Sequence, residues 1–145
     1  MFSMSKLIVL QGIPASGKST WAKQWAKEYP NSRVVVNRDS LRNMLGEYWV
    51  PEREKLVTTL EEACIVESLE SGYEVCIDAT NLNPKTISKW EDIAKYMEVD
   101  IEFKEFLISV EEAIARDKGR ALEVGEKTIR NFYEKYYKNT GKIPF

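Results

Sequence analysis

An α/β fold in three layers, with helices on both faces of a short parallel β-sheet, is what this sequence predicts. Four short runs rich in apolar and β-branched residues alternate with segments whose apolar residues recur at helical spacing. Alternation of this kind produces right-handed β-α-β crossovers and a parallel sheet covered on both sides. The length of 145 residues is that of one domain, so we expect a single domain spanning residues 1–145.

The four predicted strands are short and punctuated by turn residues. The first, Lys6 to Gln11, is an apolar run that leads into glycine, as expected of a strand buried on both faces. The others run from Arg33 to Val36, from Glu74 to Asp78 and from Val99 to Ile108. Cys76 falls in the third strand, where a reduced thiol acts as a small apolar side chain.

Helices are predicted between and after these strands. The first places Trp21, Ala22, Trp25, Ala26 and Tyr29 on one face and ends at Pro30. A short helix runs from Asp39 to about Leu45, and Pro51 opens another that ends before Gly72 and turns Leu56, Leu60, Ala63 and Cys64 inward. Asn83 caps the next, with the inner face Ile87, Trp90, Ala94 and Met97.

The C-terminal third is predicted to be helical. One helix runs from Val110 to about Asp117 and another from Glu126 to about Asn139, joined by a charged, glycine-containing loop from Lys118 to Gly125. The last helix carries an apolar face made of Ile129, Phe132, Tyr133, Tyr136 and Tyr137.

Charge, histidine content and apolar runs limit how the protein can bind polyanions, carry out acid-base chemistry and meet a membrane. A net charge of -2 gives no global field that would hold a nucleic acid along its length, so any polyanion must be gripped locally. The chain has no histidine, so carboxylates must do any acid-base chemistry. The apolar run at Leu7 is too short for a signal peptide or a membrane span, and we expect a cytoplasmic protein with no membrane partner.

A glycine-rich motif lies between the first strand and the first helix. Residues 12–19 match Gly-x-x-x-x-Gly-Lys-Ser/Thr at every fixed position, in the strand-turn-helix context that a phosphate-binding P-loop requires. We expect Lys18 to reach the β- and γ-phosphates of ATP or GTP and the Ser19 hydroxyl to hold Mg²⁺. The predicted nucleotide-binding residues of this segment are Gly12, Pro14, Ala15, Ser16, Gly17, Lys18, Ser19 and Thr20.

A carboxylate and an arginine follow the second strand on one helix face. Asp39 would face the P-loop across the carboxyl edge of the sheet, where it can orient an incoming hydroxyl and take its proton. The alternative is that Asp39 is only a helix N-cap. Arg42, placed in the first turn of this helix, opposes the helix dipole, which suggests that it binds a ligand phosphate.

Asp78 ends the third strand and is predicted to face Ser19. It could take part in the magnesium shell or hold an arginine, the alternative being a turn-forming aspartate. In the loop after the Asp39 helix, Tyr48 and Trp49 could stack a substrate base.

Two arginines four residues apart, Arg116 and Arg120, stand at the end of a helix before a flexible loop. Exposed cations often form only a solvated surface. Because a P-loop is present, we instead predict a C-terminal arginine lid that closes over the triphosphate and stabilises its charge.

Taken together, these segments resemble the kinase domain of phage-type polynucleotide 5′-hydroxyl kinases, members of the P-loop kinase superfamily. The resemblance rests on GIPASGKSTW, NRDSLR, ATNLNP and the segment from Arg116 to Arg120, in order and spacing, and covers nearly the whole chain. The chain departs at Ala79 from a member of this family that has an acid directly before Thr-Asn-Leu-Asn. Asp78, one residue earlier, is the candidate replacement.

The resemblance implies transfer of the γ-phosphate of ATP or GTP to the 5′-hydroxyl of DNA or RNA ends. Its catalytic residues would be Asp39, Lys18 and Arg120, and its acceptor-binding residues Arg38, Asp39, Arg42, Asp78 and Asn81. No DxDx[TV]-type phosphatase motif is present, so we expect no 3′-phosphatase activity. Two alternatives stay open, a small-molecule kinase acting on a nucleoside, sugar or antibiotic hydroxyl, and a nucleotide-dependent switch without catalysis.

Overall fold

The computed structural model of the chain describes residues 5–143. Its strands are β1 (Lys6–Gln11), β2 (Arg33–Asn37), β3 (Glu74–Asp78) and β4 (Asp100–Glu105). They form one parallel sheet in the order β2-β3-β1-β4, with Val9 opposite both Ile77 of β3 and Phe103 of β4. The predicted parallel sheet is therefore confirmed, and all four carboxyl ends meet at one edge.

Six helices connect and follow the strands in this part of the chain. They are α1 (Lys18–Glu28), α2 (Arg38–Met44), α3 (Glu54–Glu70), α4 (Pro84–Met97), α5 (Val110–Asp117) and α6 (Glu126–Tyr136). A single 3₁₀ turn, Pro51–Arg53, leads into α3, as expected of a proline that starts a helix.

Three apolar clusters hold the layers together. On one face of the sheet, α1 packs Ala22 and Trp25 against Ile8, Leu10 and Cys76. The opposite face packs against α2, α3 and α4, with Trp90 and Ile65 fully buried. A third cluster joins α5 and α6 to Ile13 of the glycine-rich turn. The arrangement is the predicted three-layer fold, with the third cluster attached beside the carboxyl edge of the sheet.

The prediction for the inner face of α3 was wrong. Leu56, Ala63 and Cys64 are exposed, and Leu60 is half-buried. The buried stripe is instead Val57, Glu61, Ile65 and Leu69. Glu61 can occupy a buried position because Arg38 of α2 donates a hydrogen bond of 2.9 Å to its carboxylate.

Two other expectations differ from the structure. β4 covers Asp100–Glu105 and not Val99 to Ile108, because after the Phe106 N–H donates to the Gln11 carbonyl the chain leaves the sheet. Tyr29, predicted on the inner face of α1, is exposed and packs its ring against the Arg33 guanidinium at 4.5 Å.

Within residues 5–143, no helix combines the length and the apolar character needed to cross a membrane.

Candidate active site

The glycine-rich turn between β1 and α1 is shaped by its backbone. Gly12 has a φ of +157°, and a Cβ there would lie 2.8 Å from Ser16 Oγ and 2.9 Å from the Phe106 carbonyl oxygen. Gly17, at φ +100°, precedes α1 without a side-chain cap, so the first N–H groups of α1 stay available to an anion. These features are those of a phosphate-binding turn.

Lys18 lies folded over this turn and is buried. Its Nζ donates hydrogen bonds to the carbonyl oxygens of Gly12 at 3.0 Å and Ile13 at 2.8 Å, and to Ser16 Oγ at 3.1 Å. Burial lowers the pKa of Lys18 from 10.5 to about 8, against an opposing effect of Asp78. A phosphate entering the turn would give this ammonium group a negatively charged hydrogen-bond partner, which it does not have among its three present acceptors.

Ser19, Asp78 and Asn37 form a polar link from α1 across β3 to β2. Asp78 Oδ2 accepts hydrogen bonds from Ser19 Oγ and Asn37 Nδ2, both at 2.8 Å. Asp78 therefore faces the P-loop serine as predicted. Its other oxygen, Oδ1, accepts no hydrogen bond from residues 5–143 although the side chain is largely buried.

Asp39 is not the N-cap of α2. That position belongs to Asn37, whose Oδ1 accepts the Ser40 N–H at 2.7 Å. Asp39 Oδ1 instead accepts hydrogen bonds from Arg42 Nη1 and the Tyr48 hydroxyl, both at 2.7 Å. The Asp39 side chain is 40% exposed, and Oδ2 has no partner among the described residues.

Arg42 lies in the last turn of α2 and not in the first, so the argument that it opposes the helix dipole was wrong. Its guanidinium is held on two sides, by Asp39 and by a two-point contact with Glu54, with Nε to Oε2 at 3.0 Å and Nη2 to Oε1 at 2.7 Å. Glu54 raises the pKa of Arg42, and Arg42 lowers that of Glu54. Arg42 keeps one N–H on each terminal nitrogen for another ligand.

Two residues predicted to bind the acceptor have structural partners. Arg38 donates to Glu61 at 2.9 Å and to Thr58 at 3.0 Å, which ties α2 to α3. Asn81 is buried, with its amide nitrogen 2.7 Å from the Leu10 carbonyl oxygen and its amide oxygen accepting from Trp90 Nε1 at 2.9 Å. Asn81 therefore supports the turn after β3 from beneath.

The predicted lid arginines stand on α5 and the loop after it. Arg116 pairs with Glu112 on its own helix at 2.9 Å, and Arg120 lies 3.6 Å from the Asp117 carboxylate. Asp117 is buried and accepts the Val124 and Gly125 N–H groups at 3.0 and 2.9 Å. It therefore closes the loop that carries Arg120 onto the end of α5.

A single open cavity of about 940 Å³ joins these elements. Asn81 and Gly12 do not line it. The Gly12 carbonyl oxygen accepts a hydrogen bond from Lys18, which does line it. Its walls include, from the predicted site residues, Pro14, Ala15, Ser16, Gly17, Lys18, Ser19, Thr20, Arg38, Asp39, Arg42, Asp78, Arg116 and Arg120. The P-loop, the Asp39-Arg42 pair and the two arginines therefore share one volume, large enough for a bound ligand.

Four residues of this site did not appear among the predicted site residues in the roles they hold. They are Asn37 as helix cap and partner of Asp78, Tyr48 as donor to Asp39, Glu54 as holder of Arg42, and Asp117 as loop closure. Only Asn37 had a sequence signal, since asparagine directly after a strand and before a helix favours the N-cap.

Comparison with known proteins assigns the chain to a family. The sequence profile of a family described as an AAA domain matches residues 7–138. The chain belongs to the AAA domain family. Among solved structures, this AAA domain is similar to a chain of the Pnkp1/Rnl/Hen1 RNA repair complex, with 31% identity and a TM-score of 0.78 over 90% of this chain and 43% of that chain.

Two curated relatives of this AAA domain carry kinase names. A putative bifunctional polynucleotide kinase/RNA ligase of Autographa californica nuclear polyhedrosis virus is 31% identical over 94% of this chain and 21% of its own length. An L-seryl-tRNA(Sec) kinase of Methanococcus maripaludis is 25% identical over 90% of this chain and 52% of its own length. The chain thus spans between a fifth and about half of these relatives. The resemblance to polynucleotide kinases is confirmed.

Proposed function

We propose that this AAA domain is a polynucleotide 5′-hydroxyl kinase, which moves the γ-phosphoryl group of ATP or GTP onto the 5′-hydroxyl of a DNA or RNA end. The observation that carries the proposal is the shared cavity, in which a phosphate-binding turn faces a carboxylate paired with an arginine. The relatives named as kinases support transfer chemistry for such a site.

The donor nucleotide would lie with its phosphates in the P-loop. Lys18 would leave its present carbonyl partners for the β- and γ-phosphates, and Arg116 and Arg120 would close over them as a lid. Arg120 already lies near enough to Lys18 to lower its pKa, although burial and Asp78 affect that pKa more. The two cations therefore converge on the place where charge develops during transfer.

The residues fit a bound Mg²⁺. Ser19 Oγ donates to Asp78 Oδ2 at the cavity wall, and Asp78 Oδ1 accepts no hydrogen bond from the described residues. Residues 5–143 hold no cluster of three acidic, histidine or cysteine side chains, so the ion would share its shell with phosphates and water, as Mg²⁺ commonly does. Bound there, Mg²⁺ would neutralise charge on the phosphate oxygens.

On the acceptor side, Asp39 would hold the hydroxyl through Oδ2, since Oδ1 is occupied. As the hydroxyl oxygen bonds to the γ-phosphorus, its proton passes to Asp39, and the bond to the β,γ-bridging oxygen breaks to release the nucleoside diphosphate. Arg42 would give its two remaining N–H groups to the phosphate on the 3′ side of the acceptor nucleoside. A role in joining or repairing nucleic acid ends follows from this substrate.

One observation favours a second candidate, a kinase for a small neutral alcohol. Glu54 already pairs with Arg42 through two hydrogen bonds, so in the free protein this arginine carries little uncompensated charge for a phosphate. An acceptor without a phosphate would need only Asp39. The effect of replacing Arg42 therefore distinguishes the two candidate functions.

The deciding experiment is a transfer assay with γ-labelled ATP or GTP and Mg²⁺. Acceptors are DNA and RNA oligonucleotides with 5′-hydroxyl ends, the same oligonucleotides with 5′-phosphate ends, nucleosides and sugars. The proposal requires label on 5′-hydroxyl ends and none on 5′-phosphate ends. Label only on nucleosides or sugars would favour the second candidate, and nucleotide binding without any transfer would indicate a switch.

Two variants assign the roles. Asp39→Asn should lower kcat roughly 100-fold or more while nucleotide affinity stays unchanged. Arg42→Ala should raise the KM for a polynucleotide about tenfold or more with little effect on the KM for ATP. An unchanged acceptor KM in the Arg42 variant would contradict a phosphate contact, and full activity of the Asp39 variant would contradict its role as base.

A further inference from the structure

Trp49 has an unusual position for a tryptophan. Trp49 is 56% exposed, yet it lines the cavity beside Asp39 and Arg42. Tryptophan usually buries most of its large apolar surface. An indole left this exposed at the wall of a ligand cavity leaves aromatic surface open to a ligand.

The segment that carries Trp49 is fixed on both sides. Before it, the Tyr48 hydroxyl donates to Asp39 at 2.7 Å. After it, Pro51 starts a 3₁₀ turn, and Arg53 donates to the Leu45 carbonyl at 2.7 Å, which closes the segment into a loop. Trp49 is therefore held at the cavity by its neighbours, without being buried by them.

The position of Trp49 relative to Arg42 is also defined. The Arg42 guanidinium carbon lies 5.7 Å from the centre of the Trp49 ring and 5.9 Å from that of Tyr48. Since Arg42 is itself bonded to Asp39, the carboxylate, the cation and the open indole follow one another along the same wall. A terminal nucleoside presents a hydroxyl, a phosphate and a flat base in comparable proximity.

We propose that Trp49 is the stacking platform for the base of the acceptor's 5′-terminal nucleoside. The inference rests on the proposed function, which it deepens by assigning the part of the substrate beyond the reacting hydroxyl and its phosphate. Stacking on an indole tolerates every base, because each base has an aromatic face. The platform therefore selects a nucleoside over a bare sugar and does not select a particular sequence.

The test compares acceptors that differ only in the terminal base. One 5′-hydroxyl oligonucleotide carries a normal terminal nucleotide and the other a stable abasic residue at that position. In the wild-type protein the abasic end should have an acceptor KM at least about fivefold higher. In Trp49→Ala the two acceptors should become nearly equal, through a higher KM for the normal end and little change for the abasic end.

Control variants separate stacking from general damage. Trp49→Phe keeps an aromatic face and should retain most of the preference for the normal end. Tyr96, on α4, is 90% exposed and does not line the cavity, so Tyr96→Ala should behave as the wild type. The KM for ATP and the melting temperature of each variant report whether the rest of the site is intact.

Each outcome decides the matter. Loss of the preference in Trp49→Ala alone supports the platform. A wild-type protein without preference, a variant that keeps it, or a variant weakened equally toward both ends overturns the platform while leaving the kinase intact. A wild-type protein that labels no nucleic acid ends overturns the proposed function, and the platform with it.

Discussion

At the scale of single residues, Lys18 is a buried cation whose hydrogen-bond partners are all neutral oxygens. It is buried under three hydrogen bonds to neutral oxygens, and this burial lowers its pKa to about 8. A phosphate that replaces those oxygens stabilises the ammonium form, so binding of a nucleotide above about pH 8 must take up a proton.

We therefore predict that nucleotide affinity is nearly independent of pH below about pH 7 and weakens as the pH rises through about 8, where free Lys18 loses its proton. Calorimetric titration in two buffers of different ionisation enthalpy measures the proton uptake directly. Arg116→Ala, which keeps Lys18, serves as the control and should show the same pH dependence. Constant affinity between about pH 6 and about pH 10 would contradict the prediction.

Tyr48 is the second residue whose chemistry is defined by one contact. Its hydroxyl donates to Asp39 Oδ1, and burial together with this bond raises the pKa of Tyr48 to about 12. It therefore stays a neutral donor at any ordinary assay pH. The effect is to leave Oδ2 as the oxygen that a hydroxyl can approach.

Tyr48→Phe should lower kcat by about fivefold or more, because the carboxylate gains freedom to rotate, while the KM for ATP stays the same. Steady-state kinetics and a melting curve make the measurement, with Tyr96→Phe as the matched loss of an exposed tyrosine hydroxyl. If the Tyr48→Phe variant loses melting temperature as well as kcat, the role of the hydroxyl is structural instead.

How far these residues could be predicted depends on how far apart in the sequence the contacting residues lie. The glycine-rich turn, Lys18 and Ser19 are defined by local sequence, and Asp78 by its place at the end of a strand. The contacts of Tyr48 and Glu54 with the Asp39-Arg42 pair depend on how α2 meets the start of α3. No local pattern contains that information, so the sequence offered Tyr48 only as a stacking ring.

At the scale of elements, α3 shows why a regular pattern can mislead. The stripe Leu56, Leu60, Ala63 and Cys64 looks apolar throughout, whereas the buried stripe contains Glu61. Arg38 reaches Glu61 from α2, and its hydrogen bond makes burial of that carboxylate tolerable. Because its partner lies on another helix, Glu61 occupies a buried position that hydrophobic spacing alone would not assign to it.

Burial of Glu61 raises its pKa, and Arg38 only partly offsets this. The folded state thus holds the Glu61 proton more tightly than the unfolded chain, whose pKa is near 4.5. The stabilising contribution is complete below that value and is lost as the pH rises through the raised pKa. At neutral pH the charged carboxylate therefore costs stability.

Glu61→Gln keeps an acceptor for Arg38 without the buried charge and should be at least as stable as the wild type at neutral pH. Glu61→Ala leaves Arg38 without this partner and should lose roughly 3 kcal/mol of unfolding free energy. Urea unfolding at an acidic and a neutral pH tests both variants. A glutamine variant that is much less stable than the wild type would show that the ion pair is net favourable.

At the scale of the whole molecule, the site is assembled from two parts of the fold. The glycine-rich turn, Asp39 and Asp78 belong to the sheet and the helices packed on it. Arg116 and Arg120 belong to the α5-α6 unit, which has its own apolar cluster. Ile13 of the glycine-rich turn lies in that second cluster and connects the two parts. The parallel sheet and its order of elements followed from alternation in the sequence, but this division did not.

A nucleotide bound to both parts should couple them. We predict that ATP slows amide hydrogen exchange in the turn at residues 12–20 and also in the loop at 118–125, because Arg116 and Arg120 then contact the phosphates. In Arg120→Ala the turn should stay protected while protection of the loop falls, and at about 100 times Kd the nucleotide should still stabilise that variant by about 3 kcal/mol. Protection confined to the turn in the wild type would show that the arginines do not close over the nucleotide, and neither arginine would then belong to the nucleotide site.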